Sequence, residues 1–181
     1  MVSMKLERVV LEVSGGCNYT CKMHLSQFED ILDQITPKYG TPQINLEGSG
    51  EATLAKDLDK YVAAVKKRGL VCYMYTNAER LHGDFMKRVI DAGIDFIRCS
   101  VIGYNPSKYK YWMDTDKFMH VRTNVIEMQD YIHMSGSSCE VSSYHLITDN
   151  NRVDYEVDQY NQNFISFAHT KAYIWKMHNW S

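Results

Sequence analysis

Six short apolar runs, each followed by a longer stretch with helical spacing, constrain the fold of this 181-residue chain more than anything else in it. The runs are RVVLEVS (8–14), QINLEG (43–48), LVCYMYTN (70–77), IDFIRCSVIG (94–103), SCEVSSYHLIT (138–148) and KAYIWKMH (171–178). They are rich in β-branched and aromatic residues, the composition of buried strands. Between them the apolar residues recur at helical spacing, as in Phe28, Ile31, Leu32 and Ile35, or Leu54, Leu58, Tyr61, Val62 and Val65. The expected helices cover 26–35, 54–69, 83–93, 107–136 in two pieces, and 153–170. Ser26 and Glu29 have the spacing of a capping box, and Pro37 and Gly40 are expected to end the helix that follows. Alternation of this kind implies right-handed βαβ units around a parallel sheet. The sheet is either doubly wound or a partial α/β barrel. In both, ligands bind at the C-terminal ends of the strands.

No linker or low-complexity segment interrupts residues 1–181, so one domain is expected. Hydrophobic residues make up 45% and charged residues 23%, and the formal net charge is −2. That balance offers no global electrostatic attraction to nucleic acid or to an anionic membrane, and neither is an expected partner. No apolar run approaches the ~18 residues of a membrane-spanning helix, and MVSMKLERVV lacks a signal-peptide core. The expected location is the cytoplasm. An odd count of five cysteines argues against a disulfide framework. Cys72, Cys99 and Cys139 lie in strand-like runs and are expected to be buried thiols. Cys17 and Cys21 differ, because they sit in a polar Gly/Asn/Thr loop.

The strand ends gather polar and glycine residues. After the first run come Gly15, Gly16, Cys17 and Cys21, and after the second comes EGSGEAT (47–53). The third ends in Thr76 and Asn77, the fourth carries Ser100 and leads to Gly103, and the fifth carries Ser142, Ser143, Tyr144 and His145. One shared site at one rim accounts for that distribution. His145 and His178 are expected to be structural, and Tyr104, Tyr144 and Trp175 to belong to the core.

In that order the segments resemble the motifs of the radical S-adenosylmethionine (SAM) enzymes. GGCNYTCKM resembles the Cys-x3-Cys-x2-Cys cluster loop. EGSGEATL resembles the Gly-Gly-Glu-Pro segment after the second strand, with Ala52 in place of proline. MYTNAERL resembles the Thr-Asn-Gly segment ending the third strand, and AGIDFIRCSVIGYN the fourth strand, where a serine precedes a glycine. The resemblance implies a partial (β/α)6 TIM-like barrel with parallel strands. It implies a [4Fe-4S] cluster on thiolates and SAM on the remaining iron, split on reduction to a 5′-deoxyadenosyl radical that abstracts hydrogen from substrate. By motif position, Cys17 and Cys21 ligate the cluster. Gly48, Ser49 and Gly50 lie against the methionine group of SAM, with Glu51 receiving its ammonium. Asn77 contacts SAM, and Ser100 holds its carboxylate or ribose. A reductant such as flavodoxin or ferredoxin is the implied partner. A peptide or protein side chain is the expected substrate class, because IWKMHNWS resembles the run-in to a C-terminal auxiliary-cluster extension.

The chain departs from the pattern at His24, where a third thiolate is expected. One reading makes His24 the third ligand. The other, preferred here, aligns HLSQFEDIL with the residues leading into the first helix and places a missing segment, beginning with the third cysteine, after Met23. The sequence given ends at KMHNWS, without the closing helix or auxiliary-cluster cysteines that the resemblance leads one to expect. An alternative function is a barrel relative without a cluster that acts as a binding module. A zinc site would need four protein ligands, and four do not assemble.

Overall fold

A computed structural model of the chain describes residues 6–14, 23–40, 42–165 and 171–176. The elements are β1 (Arg8–Val10), α1 (Leu25–Tyr39), β2 (Gln43–Leu46), a 3-10 turn (Ala52–Leu54), α2 (Leu58–Lys67), β3 (Cys72–Thr76), α3 (Gly83–Asp91), β4 (Phe96–Ser100), α4 (Pro106–Met113), α5 (Phe118–Ser135), β5 (Glu140–Ile147), α6 (Val153–Phe164) and β6 (Lys171–Lys176). The six strands form one sheet in the order β1-β2-β3-β4-β5-β6, and every pairing is parallel. A doubly wound sheet must reverse its strand order somewhere, and this one never does. Each crossover steps the same way, so right-handedness puts the helices on one face. They pack there in series, α1 on α2, α2 on α3, α3 on α5 and α5 on α6, with α4 beside α5. The architecture is the partial, open α/β barrel.

Strand alternation separates two faces. Ile44 and Leu46 of β2, Cys72 and Met74 of β3, and Ile97 and Cys99 of β4 are completely buried beneath the helices. Phe28 and Leu32 of α1, Val62 and Val65 of α2, and Val89 of α3 meet them there. The neighbouring residues Tyr73, Tyr75, Phe96, Arg98 and Ser100 point to the uncovered face and are half-buried. The buried cysteines Cys72, Cys99 and Cys139 are free thiols. Burial holds all three protonated, with Cys139 pushed up to about 12.

Several boundaries differ from expectation for local reasons. The N-cap of α1 is His24, not Ser26. The His24 amide donates to Gln27 Oε1 at 3.1 Å, which is the return half of a capping box one register earlier. Pro37 lies inside the last turn of α1 rather than ending it, and the chain turns at Gly40 with φ +81°. The helix after β2 starts at Leu58, because the 3-10 turn takes up residues 52–54. The expected break in 107–136 falls at Asp114, whose left-handed φ of 53° ends α4. The described part of α6 ends at Phe164.

No helix of the described residues is long and apolar enough to cross a membrane.

Candidate functional site

The C-terminal edge of the sheet is built around two glutamates. Glu51 caps the 3-10 turn after β2. Its Oε1 accepts from the Thr53 amide (3.1 Å), the Thr53 hydroxyl (2.8 Å) and the Thr76 hydroxyl (2.7 Å), and its Oε2 accepts from the Asn77 amide at 2.8 Å. Three of the four bonds fall on Oε1 and one on Oε2. They tie the turn after β2 to the end of β3. These bonds give Glu51 a positioning role at the rim.

The second glutamate, Glu12, follows β1 and was not singled out in the sequence. Its Oε1 accepts from the Gly50 amide at 2.9 Å. Its side chain also lies across Gly48, where an added Cβ would sit 2.6 Å from Glu12 Cγ and Cδ and 2.7 Å from its Cβ. The first glycine of EGSGEAT is therefore required by Glu12 and not only by a ligand. A lone glutamate after a three-residue strand carries no sequence signal, because its partner lies 38 residues away. Gly48 and Ser49 remain exposed and Gly50 half-buried, so the turn presents its backbone to solvent at the rim.

Asn77 is half-buried at the same edge. Its Oδ1 accepts from the Glu79 amide at 2.9 Å, an Asx turn that leaves the side-chain amide nitrogen available. The next residue, Ala78, is buried with φ 62° at the place where the resembling motif has glycine. Asn124 of α5 supports that turn from below, donating through Nδ2 to the carbonyls of Ala78 and Glu79 at 2.9 Å each. Ser100 ends β4 on the uncovered face, half-buried. Thus Gly48, Ser49, Gly50, Glu51, Asn77 and Ser100 come together on one edge, carried by three adjacent strands.

Gly103 answers to packing as well. A Cβ there would meet the Tyr109 amide nitrogen at 2.4 Å. Its own amide donates to His145 Nδ1 at 3.2 Å. His145, expected to be structural, is fully buried on the helix side of β5, stacked on Tyr160 with ring centroids 4.6 Å apart. Its Nε2 faces Glu156 Oε2 at 3.3 Å. Burial holds its pKa below the usual histidine value, against the pull of Glu156. The donor on Nδ1 and the carboxylate on Nε2 together specify the neutral Nε2–H tautomer.

Cys17, Cys21 and His178 lie outside the described residues. Ser14 and Met23 bracket the cysteine segment, and the Met23 carbonyl accepts from the Tyr61 hydroxyl at 2.6 Å. Ser14 follows β1 at the same edge as the glycine turn. His24 is exposed. Among the described residues no group of three or more His, Cys, Asp or Glu is placed to hold a metal ion.

No family model matches the chain. It is 25% identical over 134 residues to an uncharacterized protein of Methanocaldococcus jannaschii, covering 68% of this chain and 44% of that one. It is 24% identical over 117 residues to the Fe-coproporphyrin III synthase of Methanosarcina barkeri, covering 57% and 29%. The chain thus spans less than half the length of these curated relatives. SuiB of Streptococcus suis, solved bound to S-adenosylmethionine, superposes with a TM-score of 0.64 at 16% identity over 98% of this chain and 42% of its own. Archaeal TYW1 superposes at 0.55 with 13% identity, over 87% and 62%. A sequential, parallel, six-stranded open barrel with its glycine and polar residues at the strand tips is the fold of the radical SAM enzymes. The chain has that fold, and its motifs stand at the strand tips in the order the resemblance requires.

Proposed function

We propose that this chain is the core of a radical SAM enzyme. The observation that carries the reading is the double clamp at the rim. Glu12 holds the glycine turn and Glu51 welds it to Asn77, on the edge where the Cys17/Cys21 segment begins. Such a turn offers SAM a rigid backbone surface without side chains in the way. Gly48, Ser49 and Gly50 then contact the methionine portion of SAM. Asn77 contributes its free side-chain amide, and Ser100 its hydroxyl toward the carboxylate or ribose. Glu51 acts through the turn that it holds. Cys17 and Cys21 supply two thiolates to a [4Fe-4S] cluster. The third comes from a segment absent between Met23 and His24, because His24 already caps α1 through its backbone. When bound and reduced, the cluster and SAM supply a 5′-deoxyadenosyl radical that takes a hydrogen atom from a C–H bond of the substrate. The chain's own task is to hold SAM in one pose and to keep water from the lumen.

A peptide or protein side chain is the proposed substrate class, in keeping with the solved complex of SuiB with its precursor peptide SuiA. The proposed electron donor is a flavodoxin or ferredoxin.

Anaerobic reconstitution of the natural protein tests the reading. Iron near four per chain, with 5′-deoxyadenosine and methionine formed on reduction, is expected. Intact mass shows whether residues follow Met23 that this sequence lacks. A second reading, a cluster-less binding module, is favoured by the presence of only two cysteines in the loop. No iron uptake by a chain of verified mass establishes it and removes the first.

A further inference from the structure

The helices leave the other face of the sheet uncovered, and that face is aromatic with a cation at its centre. Tyr73 of β3 and Phe96 of β4 stack at 4.2 Å with an interplanar angle of 17°. Arg98, two residues along β4, lies with its guanidinium carbon 4.3 Å from the Tyr173 ring centroid and 5.6 Å from that of Tyr73. Tyr144 and Trp175 extend the same surface toward the strand tips, their rings 6.3 Å apart. Trp175 is 53% exposed.

Arg98 is half-buried, yet among the described residues no hydrogen bond or ion pair involves it. The guanidinium lies over both rings. A ring face attracts the charge but satisfies none of the N–H donors in its edge. Partial burial of a cation whose donors lack acceptors is unfavourable. A guanidinium over aromatic rings whose donors have no acceptor among the described residues can capture a carboxylate through two parallel bonds. The surrounding tyrosines and Trp175 offer a platform for a planar or apolar group beside that carboxylate.

We propose that Arg98 is the specificity residue of the lumen, binding a carboxylate of the substrate edge-on while the adjoining planar part of the substrate lies on the tyrosine surface. This rests on the reading of the uncovered face as the substrate lumen of the SAM enzyme. SAM also carries a carboxylate, but Ser100 stands one step nearer the rim on the same strand and is the group assigned to it. Arg98 lies deeper and serves the second ligand.

The probe is benzoate, with benzamide as its uncharged counterpart, titrated into the full chain and followed by ligand-observed NMR. Benzoate is expected to bind about tenfold more tightly than benzamide. Arg98→Met removes the preference and Arg98→Lys keeps part of it, with unchanged circular dichroism in both. A parallel arm measures SAM and decarboxylated SAM on the reconstituted protein, where Arg98→Met is expected to leave SAM affinity within about twofold. Equal binding of benzamide and benzoate overturns the proposal, as does a preference that survives Arg98→Met. If Arg98→Met weakens SAM as much as decarboxylation does, Arg98 belongs to SAM and the proposal also fails. The wild-type comparison decides even if a variant does not fold. Failure to take up iron, with benzoate selectivity intact, removes the proposed function and leaves the anion site standing.

Discussion

Both oxygens of Glu51 face donors of the chain itself, and that sets what a substitution there does. Glutamine would turn an NH2 group toward the amides and hydroxyls that now donate to it. Glu51→Gln is expected to cost about 2–3 kcal/mol, read by urea unfolding, because hydrogen bonds to a charged acceptor are lost and donors are left unpaired. His145 predicts a pH dependence. Its pKa is depressed in the folded protein by burial. Below about 6.5 the unfolded chain takes up a proton that the folded one resists, so stability is full above that pH and falls as pH drops toward the folded pKa. Urea midpoints for wild type should fall between pH 7.5 and 5.5 by more than those for His145→Gln, which has no proton to gain. Equal slopes would show that other groups carry the effect. The sequence marks Glu51 as special by its motif, but its four bonds come from residues on two different strand ends. Glu12 had no mark at all.

Among the elements, α5 does more than cover the sheet. Asn124 is 2% exposed and is the polar group that closes the turn after β3. Removing it takes the donor from the Ala78 carbonyl, while His120 Nε2 still faces the Glu79 carbonyl at 2.9 Å, and it releases a turn that holds Ala78 at positive φ. Asn124→Ala is expected to lose about 2 kcal/mol in thermal or urea unfolding. A change under ~0.5 kcal/mol would show that water replaces the amide without loss. An asparagine amid a helix reads as an exposed residue, so no local pattern could have pointed to it. Lys66 and Asp95 join α2 to the entry of β4 in the same way. The ammonium lies 2.8 and 2.6 Å from the two carboxylate oxygens, and Asp95 Oδ2 also accepts from the Cys72 amide at 2.7 Å. The helix periodicity was legible wherever an apolar stripe had a sheet to cover. The start of α1 was misplaced by two residues because Gln27, not Glu29, returns to the cap. Propensity sees both candidates and chain geometry selects one.

At the scale of the molecule, the sheet is open, so its edges and centre differ in protection. β1 has three residues and pairs only with β2 among the described residues, while β3 and β4 pair on both sides. Amide exchange is expected to be slowest in β3 and β4 and fastest among the strands in β1. Uniform protection would mean that the sheet opens as a whole. The amino-acid sequence alone determined the number and order of the strands, their parallel sense and the rim where the motifs collect. Those follow from hydrophobic period and from the handedness of the crossovers, which are local properties. It left open whether the sheet was doubly wound or a partial barrel, because that depends on which strands become neighbours. Only the tertiary structure settled the point, and only it turned Gly48 and Gly103 into packing requirements, brought Glu12 onto the glycine turn and left Arg98 among rings without an acceptor. Each of these is a contact between residues far apart in the chain, and no periodicity encodes the distance between two strand ends.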